Sequence, residues 1–213
     1  MLNTRFWTLL SLSFVLLFWA CNEDNNASPP PPSALDYFPL EVGAYWVYET
    51  YTQQPDQAEV IQGFDTLEVT DSYADGDDIV FELSSSDNYQ FSTFFPDQLR
   101  LSDGELTAEN QGLILTIDDN EAGMIVRTDS LAANLGFVYY RFLADTEEIT
   151  VPAGTFDCIN FEGEIVSTDP DAVINGTRMD RFYADGVGLV DASNFFFSSA
   201  GKIGIRLASY ELP

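Results

Sequence analysis

The groups in this sequence that could do chemistry are almost all carboxylates. Asp and Glu number 35 against 8 Lys and Arg, the net charge is -27, and there is no His. Without His there is no histidine-dependent triad, His-ligated metal or imidazole proton shuttle. Hard oxygen ligands gathered in turns suit Ca²⁺. Two turns supply them, one with Asp75, Asp77 and Asp78, the other with Asp118 and Asp119 followed by Asn120 and Glu121. Neither has the Gly and Glu placement of an EF-hand, so these are candidate calcium ligands or solvated hairpin tips, and no other cofactor is expected. Two carboxylates about 5–9 Å apart could hydrolyse a glycan. No feature of the sequence selects such a pair, so a non-catalytic protein is expected, with a carboxylate-dependent hydrolase as the enzymatic alternative. The acidity argues against nucleic acid as a partner, because phosphate neutralisation needs Lys and Arg. Cys21 and Cys158 are the two cysteines, too few for a Cys-based zinc site or a disulfide framework. Cys158 has no Lys beside it to stabilise a thiolate and reads as a buried, inert thiol. Arg178 and Arg181 are three residues apart, so on a strand they face opposite ways. They form no shared anion clamp, and pairing with nearby carboxylates is the default for each.

Chemistry of another kind sits near the amino terminus. Residues 1–5 carry one positive charge, and residues 6–20 are uncharged and mostly apolar. A helix of 15 residues reaches about 22 Å, short of the ~30 Å hydrocarbon core. This is the pattern of a secretory signal peptide. Phe18-Trp19-Ala20-Cys21 resembles a bacterial lipobox, in which a small residue precedes a Cys that becomes diacylglyceryl-modified and then the first residue of the mature chain. Ala20 and Cys21 match; Phe18 and Trp19 depart from the usual Leu and small residue. The resemblance implies lipidation at Cys21, palmitate incorporation and a membrane partner reached through the anchor. An ordinary signal peptide followed by an unmodified Cys is the alternative. The next stretch is polar and then carries four prolines, Pro29 to Pro32, which favour an extended, semi-rigid spacer. Glu23 and Asp24 behind the Cys resemble the surface-export signal of Bacteroidetes-type lipoproteins. The chain therefore divides into a signal peptide (1–20), a lipidated Cys with tether (21–33) and a single domain (34–213).

The elements that must position any site in that domain are strands. Val, Ile, Thr, Tyr and Phe alternate with polar residues, as in Thr66-Leu67-Glu68-Val69, where Leu67 and Val69 share one face. Asp-Gly and Asn-Gly turns recur at hairpin spacing, which leaves no room for parallel crossovers. The expected fold is all-β: a strongly bent antiparallel meander sheet that is a barrel, a half-barrel or a two-layer sandwich, with at most one short helix. Strands are expected near residues 44–52, 64–72, 79–84, 89–95, 113–117, 124–127, 137–143, 148–151, 156–166, 177–183, 188–191 and 202–212. A short helix is expected over residues 131–135, capped by Asp129 or Ser130 and ended by Gly136. Consecutive strand residues face opposite ways. The runs Phe94-Phe95 and Phe195-Phe196-Phe197 must therefore be buried on both faces or present a ring to sugar, protein or lipid.

Three blocks resemble uncharacterised Bacteroidetes-type outer-membrane lipoproteins. The opening Tyr37-Phe38-Pro39-Leu40-Glu41-Val42-Gly43-Ala44-Tyr45-Trp46-Val47-Tyr48 matches their aromatic-aromatic-Pro-Leu, Gly and Trp-x-Tyr pattern. Val151-Pro152-Ala153-Gly154-Thr155-Phe156-Asp157-Cys158 is similar to their later strand–turn–strand, and Tyr183-Ala184-Asp185-Gly186-Val187-Gly188-Leu189-Val190 to their closing hairpin. The resemblance implies a predominantly β fold and an envelope location and carries over no catalytic residue. Asp65-Thr66-Leu67 and Asp129-Ser130-Leu131 match the short O-glycosylation pattern of such exported proteins, which makes Thr66 and Ser130 candidate acceptors.

The reading that follows is an outer-membrane, lipid-anchored protein, displayed at the cell surface or alternatively on the periplasmic face. Its β domain is expected to bind or to serve as structure, with a protein, glycan or hydrophobic ligand as partner. A periplasm-facing carrier of a lipid or other hydrophobic molecule is the alternative, suggested by 17 Phe and 10 Tyr.

Overall fold

Alternating β-branched and aromatic residues form 13 strands in the computed structural model, which describes residues 33–86, 93–108, 112–117, 122–131, 135–196 and 199–213. The strands are β1 (Tyr45–Gln53), β2 (Val60–Asp75), β3 (Asp78–Ser85), β4 (Gln98–Ser102), β5 (Glu105–Ala108), β6 (Gly112–Leu115), β7 (Ile125–Ser130), β8 (Gly136–Val151), β9 (Gly154–Ser167), β10 (Arg178–Met179), β11 (Arg181–Ala184), β12 (Gly188–Phe196) and β13 (Ser199–Glu211). One helical turn, α1 (Ala34–Tyr37), precedes them.

All belong to one antiparallel sheet in the order β6-β5-β4-β3-β2-β1-β13-β12-β11-β9-β8-β7, with β10 paired to β9. Neighbours follow the chain except β11 with β9, which skips the short β10, and β1 with β13, which closes the two ends of the domain onto each other over Tyr45↔Glu211 to Gln53↔Lys202. Among the described residues β6 and β7 end the order with no strand on their outer sides, so the sheet is an unclosed meander, neither a sealed barrel nor a sandwich. It bends strongly: β8 lies three places from β12 in the order yet comes close to both β12 and β13.

Paired residues in a ladder share a face, which sorts the side chains. Trp46 with Leu67, Phe142 with Phe161, and Ala192 with Ile205 point inward and are buried. Glu49 with Arg206 and Arg141 with Glu162 lie on the outer face. One end of the enclosed space is stopped by aromatic rings. Phe38 meets Trp46 edge-on at 5.3 Å and Tyr183 at 6.0 Å, and Phe95 lies 5.4 Å from Tyr48. The preceding turn, α1, is pinned from both sides: Ala34 N donates to Gly104 O at the β4–β5 turn, and Gly186 N at the β11–β12 turn donates to Asp36 O at 2.7 Å. Ser33 N donates to Asp36 Oδ2 at 2.6 Å and starts the turn. Gly188, with φ +114, is needed here, because a Cβ would sit 3.0 Å from Trp46 Nε1 and 3.1 Å from the Phe38 ring.

Several expectations need correction. Residues 137–143 and 148–151 are one strand, β8, whose register slips between Leu143 and Glu147. Thr93 to Phe95 form a turn with both rings buried; the rest of the strand expected at 89–95 lies outside the described residues. Strands β4 and β5 were expected only as an Asp-Gly turn, being too short to show alternation. Asp129 and Ser130 pair with Val138 and Phe137 as strand, and Leu131 N donates to Gly136 O, closing a hairpin at the place expected for a helix start. Residues 132–134 of that expected helix lie outside the described residues.

Candidate functional site

At the end opposite the aromatic plug, the inner face opens into a groove of about 490 Å³. Its walls are Leu131, Val138, Tyr140, Met179, Phe195, Phe196 and Ile203, with Thr93, Asp129, Ser130 and Asn194 as the polar groups. Ladder geometry builds it: Val138 and Tyr140 are successive inward positions of β8, and Asn194 pairs with Ile203 across β12 and β13. Gly163 opposite Tyr140 makes room for the ring, since a Cβ there would meet Tyr140 Cε1 at 2.9 Å. Tyr140 stacks on Phe161 at 5.8 Å and carries the Arg127 guanidinium 4.7 Å above its ring. Arg127 is itself held by both carboxylate oxygens of Asp129, with Nε donating to Oδ1 at 2.9 Å. Burial, more than the neighbouring charges, holds the Tyr140 phenol above its usual range.

Beneath the groove lies Arg181. Met179, Arg181 and Tyr183 alternate along β10 and β11, so all three face inward. Met179 lines the groove and Tyr183 packs on Phe38 in the plug, which puts Arg181 between them, beneath the groove lining and close enough for its charge to act on Tyr140. Its ladder partner is the small side chain of Ala192. Its main-chain N donates to Asn160 Oδ1, but its Nη1 is buried with no hydrogen-bond partner. Among the described residues no carboxylate pairs with it. Arg178, by contrast, faces outward and donates to Glu162 Oε2 at 2.9 Å. The expectation of opposite faces is met; the expectation of a carboxylate partner is met for Arg178 and fails for Arg181. Spacing announced the split, but only the strand pairing shows which Arg is inside.

The other candidate residues fall elsewhere. Arg100 lies between Asp75 and Asp78, at 2.8 and 2.9 Å. Hydrogen bonds from Ser102 and Arg100 hold the Asp78 carboxyl below its usual range. Asp77 is exposed in the turn between them. Among the described residues no three acidic or thiol groups gather as a metal ion would require. Asp118, Asp119 and Cys21 lie outside the described residues, as does Phe197. Thr66 faces outward, half-buried beside Val47, and Ser130 is exposed at the groove mouth. Burial pushes the Cys158 thiol up to about 12. On the outer face, Tyr51 covers Gly204 beneath the Arg206 guanidinium. Next to it the Asp191 carboxyl is raised to about 7, chiefly by burial, with Lys202 and Arg206 opposing the rise and Glu59 and Asp180 adding to it. Inside, Asp65 is buried and accepts from Thr50 and, at 2.8 Å, from Ser86 Oγ.

Comparison with known proteins adds a partial family match. A family model described as DUF3108-like matches residues 115–195. That stretch runs from the end of β6 through most of β12 and contains the second and third blocks noted above; the opening block lies outside it. Solved structures similar to this chain include an inferred exported protein of YmcC-like fold from Bacteroides fragilis. It is 13% identical, with a TM-score of 0.47, over 81% of this chain and 97% of that one. Another is an inferred lipoprotein from Parabacteroides distasonis, 15% identical with a TM-score of 0.41, over 81% of this chain and 96% of that one. No curated protein matches the chain.

Proposed function

We propose that this chain is an outer-membrane lipoprotein, anchored through acylated Cys21 and the tether at 21–33, whose β domain takes up an apolar or amphipathic small molecule. The observation that carries the binding role is the groove. A volume of about 490 Å³ with mostly aliphatic and aromatic walls falls in the range of small-molecule sites, about 300–1,000 Å³. The apolar leader, the small residue before Cys21 and the proline spacer support the anchor. Glu23 and Asp24 favour display at the cell surface; a lipid-handling role favours the periplasmic face.

The groove is tested with N-phenyl-1-naphthylamine, a neutral probe that fluoresces in apolar surroundings. The protein used is the full chain carrying Cys21→Ser, so that no acyl chain competes for the probe. Saturable enhancement at one probe per chain is expected, with loss of binding in Asn194→Phe, which fills the groove. Enhancement that never saturates, or that is unchanged in Asn194→Phe, would contradict the reading. For the anchor, palmitate labelling is expected in the unsubstituted chain and not in Cys21→Ser. An intact mass equal to the acylated polypeptide alone would remove glycans from Thr66 and Ser130.

A further inference from the structure

We propose that the groove ligand is an anionic single-chain amphiphile, with its carboxylate or phosphate head paired to Arg181 at the floor and its apolar chain along the walls toward the mouth. This rests on the reading of the groove as a binding site. It adds the chemical class of the ligand and the residue that selects it.

Four observations converge. The first is the guanidinium itself. Removing an Arg from water is strongly unfavourable unless a counter-charge and hydrogen bonds replace the water. Arg181 Nη1 is buried and has no partner among the described residues, in a chain otherwise rich in carboxylates. The second is position. Met179 on the groove wall is the preceding inward residue, on β10, the ladder partner Ala192 is small, and the guanidinium charge reaches Tyr140 on the groove wall. The third is the commitment of the nearby ions. Arg127 and Asp129 are bound to each other in a bidentate pair, so among the described residues at this end the charge left over is positive. The fourth is the apolar part of the walls above, Leu131, Val138, Phe196 and Ile203, which suits a hydrocarbon chain. A planar guanidinium matches carboxylate and phosphate oxygens in a two-point contact. A neutral lipid would satisfy the walls and leave the floor unanswered.

The test measures displacement of N-phenyl-1-naphthylamine from the full chain carrying Cys21→Ser. The competitors are laurate, dodecyl phosphate and dodecanol, which share a chain length and differ in the head. Laurate or dodecyl phosphate is expected to displace the probe at about 10-fold lower concentration than dodecanol or better, the scale of one charge-assisted contact; whichever does so identifies the head. In Arg181→Met that advantage is expected to vanish while dodecanol displaces as before, which also shows that the variant is folded. Arg181→Lys is expected to keep part of it, having charge without the planar fork. Equal displacement by all three competitors, or an advantage that survives Arg181→Met, would overturn the proposal while leaving the groove as a neutral lipid site. A chain that never binds the probe would overturn the groove reading, and this proposal with it.

Discussion

The two ends of the bent sheet solve opposite problems. At the plugged end the two polar rings of β1 are answered: Trp46 Nε1 donates to Val187 O at 2.7 Å, and Tyr48 Oη donates to Leu189 O at 3.0 Å. Both acceptors lie on or beside the β11–β12 hairpin, so the rings lock β1 to a segment about 140 residues away in sequence. At the open end the pattern reverses. Walls are mostly apolar, and among the described residues the space is not filled and a buried cationic nitrogen has no partner. The first region is built for stability in the absence of anything else. The second is left incomplete in a way that a ligand of the right charge would complete.

The largest expected effect breaks the plug. Trp46→Ala removes a fully buried indole and its hydrogen bond and should destabilise the fold by about 3–5 kcal/mol, read by urea unfolding. The equivalent lesion at the open end, Asn194→Phe, should change stability by less than about 1 kcal/mol while abolishing probe binding. If both substitutions were equally destabilising, the contrast between the ends would not hold. Gly188→Ala comes next. It forces a side chain into a left-handed backbone and against Trp46 and Phe38, and should lower stability by about 2 kcal/mol.

Asp191 on the outer face sharpens the comparison, because it shows what an under-compensated buried charge does away from the groove. Its folded-state pKa of about 7 lies above the ordinary 3.8, so the folded chain holds the proton more tightly than the unfolded one. Stability is then lost as pH rises from about 4 to about 7 and stays flat above. Asp191→Asn should therefore raise the melting temperature at pH 8, by about 2 kcal/mol equivalent, and leave it nearly unchanged at pH 4. The smallest effect is general. With a net charge of -27, repulsion is spread over the surface, and adding salt should raise the melting temperature by a few degrees through screening. A midpoint independent of ionic strength would argue that the acids are already compensated locally.

Much of this architecture is legible in the sequence because it is local. Leu67 and Val69 alternate with polar residues, Asp-Gly marks the turns, and Trp46 with Tyr48 two residues on declares one buried face of β1. The site is less legible because it is not local. Its walls come from β7, β8, β10, β12 and β13 and from Thr93 and Leu131, and no linear pattern places Asp129, Met179 and Ile203 together. Arg178 and Arg181 show the limit most plainly. Alternation says that they part company, but the choice of inner face depends on Arg181 pairing with Ala192 and Arg178 with Glu164. The acidic turn at Asp75 and Asp78 shows how partners from elsewhere change a local reading. Read alone it suggests a cation site, and the cation that sits there is Arg100, from a strand too short to be foreseen.

The most direct measurement is thermal unfolding of the full chain carrying Cys21→Ser, with Arg181 and with Arg181→Met, each with and without laurate. The account requires Arg181→Met to melt higher when no ligand is present, since a methionine in that position leaves no charge unanswered. It also requires laurate to raise the midpoint of the Arg181 protein well above that of the variant's response. A lower midpoint for ligand-free Arg181→Met, with laurate acting equally on both, would mean that the guanidinium is already satisfied within the fold and that the open end is not waiting for an anion.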